Sequence, residues 1–349
     1  MVDRKDECGN KFIENIESPI FVVGPPRSGT TLTAKILGNH SRIFMPGETH
    51  FFEDIYAQGK VLGDIREEKS RDKIIERLMS IYHRYDEEKD QQRVDAVFSN
   101  EENLMKFRES CTSYKNLFST FMGIQLKEVG KKRWGNNTPR DVFYINEINS
   151  FFPDAKIIVS IRDPRDFLIS YKERWQTASE GHMPRIKMLY HPIVTAILWK
   201  ASVRRILRSS RTFENKAIHV IKYEQLVTNT ESVVSELCEF IDESFEPEML
   251  DIEANNSSIV GNEKGIFTSS IGRWKGGLGE EEVFIMQKIA GREMNALGYE
   301  VEKVSINVQK LISILFTFPG AALRGIRATA VMRGPLLPYV VRRIKSFLT

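Results

Sequence analysis

Residues 21–31 read FVVGPPRSGTT, and residues 32–40 continue LTAKILGNH. An apolar run that breaks at a Gly/Pro turn and passes straight into helical spacing predicts a strand, a tight loop and a helix N-terminus. The pattern G-x-x-x-x-G-K-[ST] of nucleotide-binding loops is nearly met: Gly24, Gly29 and Thr31 are in register, but Thr30 stands where the lysine belongs and Arg27 sits inside the loop. Backbone N–H groups and the positive end of a helix dipole favour an anion at such a place. Ser28, Thr30 and Thr31 add hydroxyl donors, and Arg27 adds a permanent cation with a forked geometry suited to phosphate or sulfate. The stretch therefore predicts an anion site rather than a plain turn before a helix.

Outward from the loop, IFVVG (20–24), RIFM (42–45), AKIIVSIR (155–162) and AIHVIKY (217–223) read as buried strands, each followed by a turn signal and a helical segment. Such alternation predicts an α/β protein with a mainly parallel sheet covered on both faces, a three-layer fold like that of the P-loop NTPases. Residues 64–120 are charged and helical in pattern. They read as a helical insertion that either shapes an acceptor pocket or lid, or supports the sheet from the surface.

An ATP site needs more than the loop: a lysine for the phosphates and a strand ending in Asp for magnesium. The strand within KIIVSIRDPRD instead ends in Arg162, with Asp163 beyond it. The anion is expected to be neutralised by arginine, with no metal. Pro164 falls in the first turn of the next helix, where proline is tolerated. Ser170 and Arg174 then stand i, i+4 on that helix, so one face can offer a hydroxyl and a guanidinium to the same phosphate.

GPPRSGTT and IRDPRDFLISYKERW resemble the two cofactor motifs of sulfotransferases that use 3′-phosphoadenosine 5′-phosphosulfate (PAPS). The resemblance implies that the loop from Arg27 through Ser28, Gly29, Thr30 and Thr31 holds the 5′-phosphosulfate, and that Arg162 and Ser170, with Arg174, hold the 3′-phosphate. WGNNTPR (134–140), KYEQLV (222–227) and SSIGRWK (269–275) resemble segments of the tyrosylprotein and bacterial branches, in the same order. By that likeness Tyr223, Arg273 and Ser258 also line the cofactor site. The similarity spans roughly residues 20–300 and implies a catalytic domain over 1–302.

Sulfuryl transfer needs a base for the acceptor's proton and cations for the charge on the transferring group. Arg27 is placed to supply charge. Glu48, in FMPGETHFF, matches a Glu in a similar context in the tyrosylprotein enzymes. His50 is the alternative base, on the same side if the segment is extended. Asn137 stands where related enzymes often carry a lysine, and it can donate a hydrogen bond but has no charge. Either another cation, such as Arg140 or Lys35, compensates, or transfer is slow. The acceptor is expected to be a hydroxyl on a carbohydrate, a lipid-linked sugar, a lipid or a protein. The competing readings are a P-loop kinase and a non-catalytic cofactor-binding or membrane scaffold.

The chain has 349 residues, with 50 Lys and Arg against 47 Asp and Glu. Eight of those cations and none of the anions fall from Lys303 onward, so residues 1–302 carry 42 against 47. The tail is thus a basic object on an acidic body. Val304, Val308, Leu311, Ile312 and Leu315 share one helical face, as do Val340, Val341, Ile344, Phe347 and Leu348. Pro319, Gly320, Gly334, Pro335 and Pro338 punctuate the region and predict two or three short amphipathic helices. No run reaches about 18 uninterrupted apolar residues, the usual length for a spanning helix. The expectation is peripheral association with an anionic membrane through residues 303–349. Packing on the catalytic domain or on a second copy in a homodimer is the alternative; nucleic acid fits poorly, since no binding module accompanies the charge. Three scattered cysteines, Cys8, Cys111 and Cys238, and a charged N-terminus predict a cytoplasmic, reducing location.

Overall fold

The computed structural model describes residues 17–85, 88–177, 183–212, 217–252 and 265–333. Among the described residues, five strands form one sheet, β1 (Ile20–Val23), β2 (Ile43–Phe44), β3 (Arg133–Asn137), β4 (Lys156–Ile161) and β5 (Ile218–Lys222), in the order β2-β3-β1-β4-β5. Every pairing is parallel. Helices of eight residues or more are α1 (Thr30–Gly38), α2 (Glu68–Tyr85), α3 (Glu88–Ser99), α4 (Glu101–Ser110), α5 (Tyr114–Glu128), α6 (Pro164–Glu173), α7 (Pro192–Thr212), α8 (Thr230–Ile241), α9 (Glu280–Ala296) and α10 (Val308–Arg333).

Side chains alternate across a strand, and β1 uses both sides. Phe21 and Val23 enter a core shared with α5, α7 and α9, while Ile20 and Val22 enter a second core shared with α1 and α8. The same split divides Ile157 and Val159 from Ile158 on β4. Two apolar layers on opposite faces of one sheet are the expected three-layer arrangement.

β3 is the strand that apolar patterning overlooks. Its residues RWGNN hold no β-branched side chain, yet all five are buried between β1 and β2. Neighbouring strands on both sides decide its conformation, which outweighs intrinsic propensity. Its register puts Asn137 beside Val22, so the end of β3 adjoins the start of the loop after β1.

The charged region is helical as read, running through α2, α3 and α4 into α5. Its apolar residues join the main core: Phe98 stacks on Phe121 at 5.3 Å, and Phe118 stacks on Phe51 at 4.3 Å. Ser113 caps α5 by accepting from the Asn116 amide at 3.1 Å, and the helix is buried from Leu117 to Leu126.

The tail departs from expectation. Residues 308–333 form a single helix that runs through Pro319, where two or three short helices were expected across the tail. Residues 334–349, with Val340, Val341, Ile344, Phe347 and Leu348, lie outside the described residues.

Candidate active site

Parallel strands deliver their carboxyl ends to one edge of a sheet, the usual place for a ligand in this architecture. Four of the segments that matter begin there: the loop after β1, the turn after β3, the start of α6 after β4, and Tyr223 directly after β5.

The loop is shaped by close approach. A Cβ on Gly24 would lie 2.2 Å from the Ser160 carbonyl oxygen, and the Gly24 amide donates to the Pro139 carbonyl at 3.0 Å. Gly29 takes φ 92°, and a Cβ there would lie 2.5 Å from the Tyr223 ring. Arg27 is itself left-handed, at φ 69°. The α1 helix starts at Thr30, which is buried, and Thr31, which is exposed. The Ser28 side chain is fully buried, and its hydroxyl has no hydrogen-bond partner among the described residues. A buried polar atom of that kind costs about 1–3 kcal/mol unless a ligand or water engages it.

Arg27 Nε donates to Ser170 Oγ at 3.1 Å, which ties the loop to α6. Burial foremost, and next the charge of Arg174, lower the pKa of the Arg27 guanidinium; Arg162 acts in the same direction, and Tyr171 and Glu48 oppose it. Three arginines gathered around one loop repel one another, and an anion relieves that repulsion. Arg174 is exposed and begins a short 3-10 turn just past α6, so Ser170 and Arg174 are four apart without sharing one α-helix.

Arg162 is buried where β4 ends. Its guanidinium lies over the Tyr223 ring at 4.6 Å and donates through Nη2 to the Ser270 carbonyl, while its Nε has no hydrogen-bond partner among the described residues. The Tyr223 hydroxyl and Ser270 Oγ are 2.5 Å apart. Asp166 fixes the 269–275 segment by accepting from the amides of Gly272 at 2.7 Å and Trp274 at 3.1 Å. Arg165 pairs with Asp163 at 2.7 Å and covers the Trp274 ring at 4.1 Å, so RDPRD is a buried framework rather than a surface charge array. Arg273 sits in the pinned segment with Nη2 2.5 Å from Glu173 Oε2. Ser258 falls outside the described residues.

On the other side of the loop, Glu48 Oε2 and His50 Nε2 are 3.1 Å apart. They meet for a reason other than extended alternation: His50 is left-handed, at φ 47°, at the start of a short helix over Phe51–Asp54. The segment hangs on β3. Thr49 Oγ1 and Thr138 Oγ1 donate to Asn136 Oδ1 at 2.8 and 3.3 Å, Asn136 Nδ2 donates to Asp141 Oδ2 at 2.9 Å, and the His50 amide donates to Thr138 Oγ1 at 3.2 Å. Asn136, Thr138 and Asp141 carry this framework, and sequence reasoning passed over them as it did β3. Two polar residues in a row inside WGNNTPR were the available signal, because polar groups in a strand covered on both sides must find partners.

Asn137 is buried at the end of β3, and its Oδ1 has no hydrogen-bond partner among the described residues. Of the two candidate replacement cations, Arg140 already lies 3.6 Å from the buried carboxylate of Glu53. Lys35 is in the last turn of α1, about 9 Å along the helix axis from Gly29.

A family model described as "Sulfotransferase family" matches residues 19–247. The chain belongs to the sulfotransferase family. An uncharacterized protein of Aquifex aeolicus is 26% identical over 265 residues, covering 74% of this chain and 30% of that protein. The 3-beta-hydroxysteroid sulfotransferase of Cavia porcellus is 34% identical over 115 residues, covering 31% of this chain and 39% of that enzyme. The chain thus aligns with less than half the length of either relative. Among solved structures, the sulfotransferase domain from the curacin biosynthetic pathway superposes with a TM-score of 0.56 at 19% identity, covering 82% of this chain and all of that domain. The sulfotransferase domain of the Synechococcus PCC 7002 olefin synthase gives 0.57 at 17%, covering 82% and 97%. At these identities the likeness is one of fold, and it extends to most of the described sulfotransferase chain.

Proposed function

We propose that the chain transfers a sulfuryl group from PAPS to a hydroxyl on a carbohydrate or lipid-linked sugar. The observation that carries this reading is the placement of Arg27, Ser170 and Arg162 around a loop whose Ser28 hydroxyl is buried and unsatisfied. The donor set fits a nucleotide with two separate anionic groups: loop amides, Ser28 and Arg27 for the phosphosulfate, and Ser170, Arg162 and Arg174 for the 3′-phosphate. PAPS supplies an activated sulfuryl group whose leaving group is adenosine 3′,5′-bisphosphate.

The chain's own residues supply the rest. Glu48, the more exposed member of the pair with His50, receives the acceptor hydroxyl's proton, while His50 holds the carboxylate in place and shares the charge. Arg27 neutralises charge on the oxygens of the transferring group. Asn137 offers an amide donor beside the loop in place of a cation, which leaves more of that charge to Arg27.

Incubation with radiolabelled PAPS and extracted glycans, lipids and proteins tests the reading, with Arg27→Ala and Glu48→Ala as controls. Label should enter one acceptor fraction with the unaltered protein alone. The uncharged Asn137 favours a second reading, a cofactor-binding protein without catalysis. Tight binding of adenosine 3′,5′-bisphosphate with no transfer to any fraction would establish it.

A further inference from the structure

α10 is apolar on two sides. At 100° per residue, Ile314, Thr317, Phe318 and Ala321 lie on one side of the helix, and Val308, Ile312, Leu315, Phe316 and Leu323 lie on the other. The first side is seated on the catalytic body. His191 Nε2 lies 3.2 Å from the Ile314 carbonyl and 3.3 Å from Thr317 Oγ1, the His191 and Phe318 rings are 5.9 Å apart, and Ala321 is buried. Arg324 Nε donates to the Met188 carbonyl at 3.4 Å. The second side is a stripe of large exposed side chains, led by Phe316 at 84% exposure.

We infer that this stripe is a membrane-docking surface: α10 lies in the plane of an anionic bilayer, with Phe316 and its neighbours among the acyl chains. Length and hydropathy agree with lipid contact, because Val308–Ala328 is 21 residues long with mean hydropathy 1.3 and is 6% buried within the protein. That stretch is about 31 Å long, enough to cross a hydrocarbon core of about 30 Å. A crossing would need lipid around the whole circumference, and the middle of α10 is clamped by His191. The clamp turns the axis parallel to the surface and leaves the opposite face to enter it.

Charge selects the occupant. From Lys303 onward the sequence has eight cations and no carboxylate, and Lys310 and Arg327 are exposed on α10 itself. A second copy on the stripe would set two such tails against each other, whereas anionic headgroups complement them.

The test is co-sedimentation of the full chain with phosphatidylcholine vesicles, with and without about one third phosphatidylglycerol, at low and high salt. The expected result is binding to the anionic vesicles that weakens as salt rises. Ile312→Asp with Phe316→Asp should reduce it at least about tenfold, because each substitution removes a buried apolar side chain from the bound state. Both sites are exposed, and an unchanged melting curve would show that the variant folds. Lys310→Glu with Arg327→Glu should weaken binding without altering the apolar stripe. Equal binding to neutral and anionic vesicles, or unchanged binding by both double variants, would overturn the inference. So would a lipid-free dimer that Phe316→Asp dissociates, since the occupant would then be a second copy. Protein that leaves native membranes only with detergent, never with high salt or alkali, would show a spanning helix instead.

Discussion

Arg27 Nε and Ser170 Oγ meet at 3.1 Å across 143 residues of sequence, and that contact joins the loop after β1 to the helix after β4. The same two residues are assigned to opposite ends of one nucleotide. Their proximity sets the shape of the pocket as well as its charge.

Replacing them tests whether they act as a unit. Arg27→Ala should weaken adenosine 3′,5′-bisphosphate binding by roughly ten- to a hundredfold, the range for losing charge-assisted hydrogen bonds. Ser170→Ala should cost less, and the double variant less than the two effects combined. Titration calorimetry on the four proteins decides it, and strict additivity would show that the two residues bind independently.

Glu48 and His50 should separate by kinetics. Glu48→Gln keeps the shape and removes the base, so kcat should fall by about 10²–10⁴ while nucleotide affinity stays within a factor of about two. His50→Asn should lower kcat by less, because the carboxylate remains. If His50→Asn instead causes the larger loss, His50 is the base and Glu48 its support.

Asn136 joins Thr49, Thr138 and Asp141, and all four are buried. Asn136→Ala leaves three polar groups without their partner and should cost about 2–4 kcal/mol of stability. Urea denaturation measures this. Activity should fall as well, since the 48–50 segment loses its anchor, while nucleotide binding at the loop after β1 persists.

Asp141 gives a pH signature. Burial foremost, and next the nearby Glu53, hold its carboxyl well above the usual range, and the hydrogen bond from Asn136 opposes them only in part. The folded chain therefore keeps a proton that the unfolded chain releases at about pH 4. This contribution to stability is complete below that pH and is lost as pH rises, until the folded carboxyl itself ionises. Asp141→Asn should remove the loss, so its urea midpoint should exceed that of the unaltered protein at about pH 8 and approach it near pH 4.

How much of this was legible in the sequence depended on where each structural cause lay. β1, β4 and β5 declare themselves by apolar, β-branched runs, and Arg162 follows β4 where the motif put it. The β3 run RWGNN becomes a strand only because β1 and β2 flank it, and no local pattern carries that information. Glu48 and His50 meet through a left-handed turn at His50, a conformation with no signature in a non-glycine residue. Pro319 reads as a break, yet the exposed helix continues through it, because losing one backbone bond there does not outweigh the turns on either side.

The pocket's walls come from the ends of β1, β3, β4 and β5 and from the segment held by Asp166, and each arrives by a separate crossover of the chain. A nucleotide that binds the folded chain alone is linked to folding: at a hundred times its Kd it should raise global stability by about 2.7 kcal/mol. A thermal melt with and without adenosine 3′,5′-bisphosphate then reads both at once.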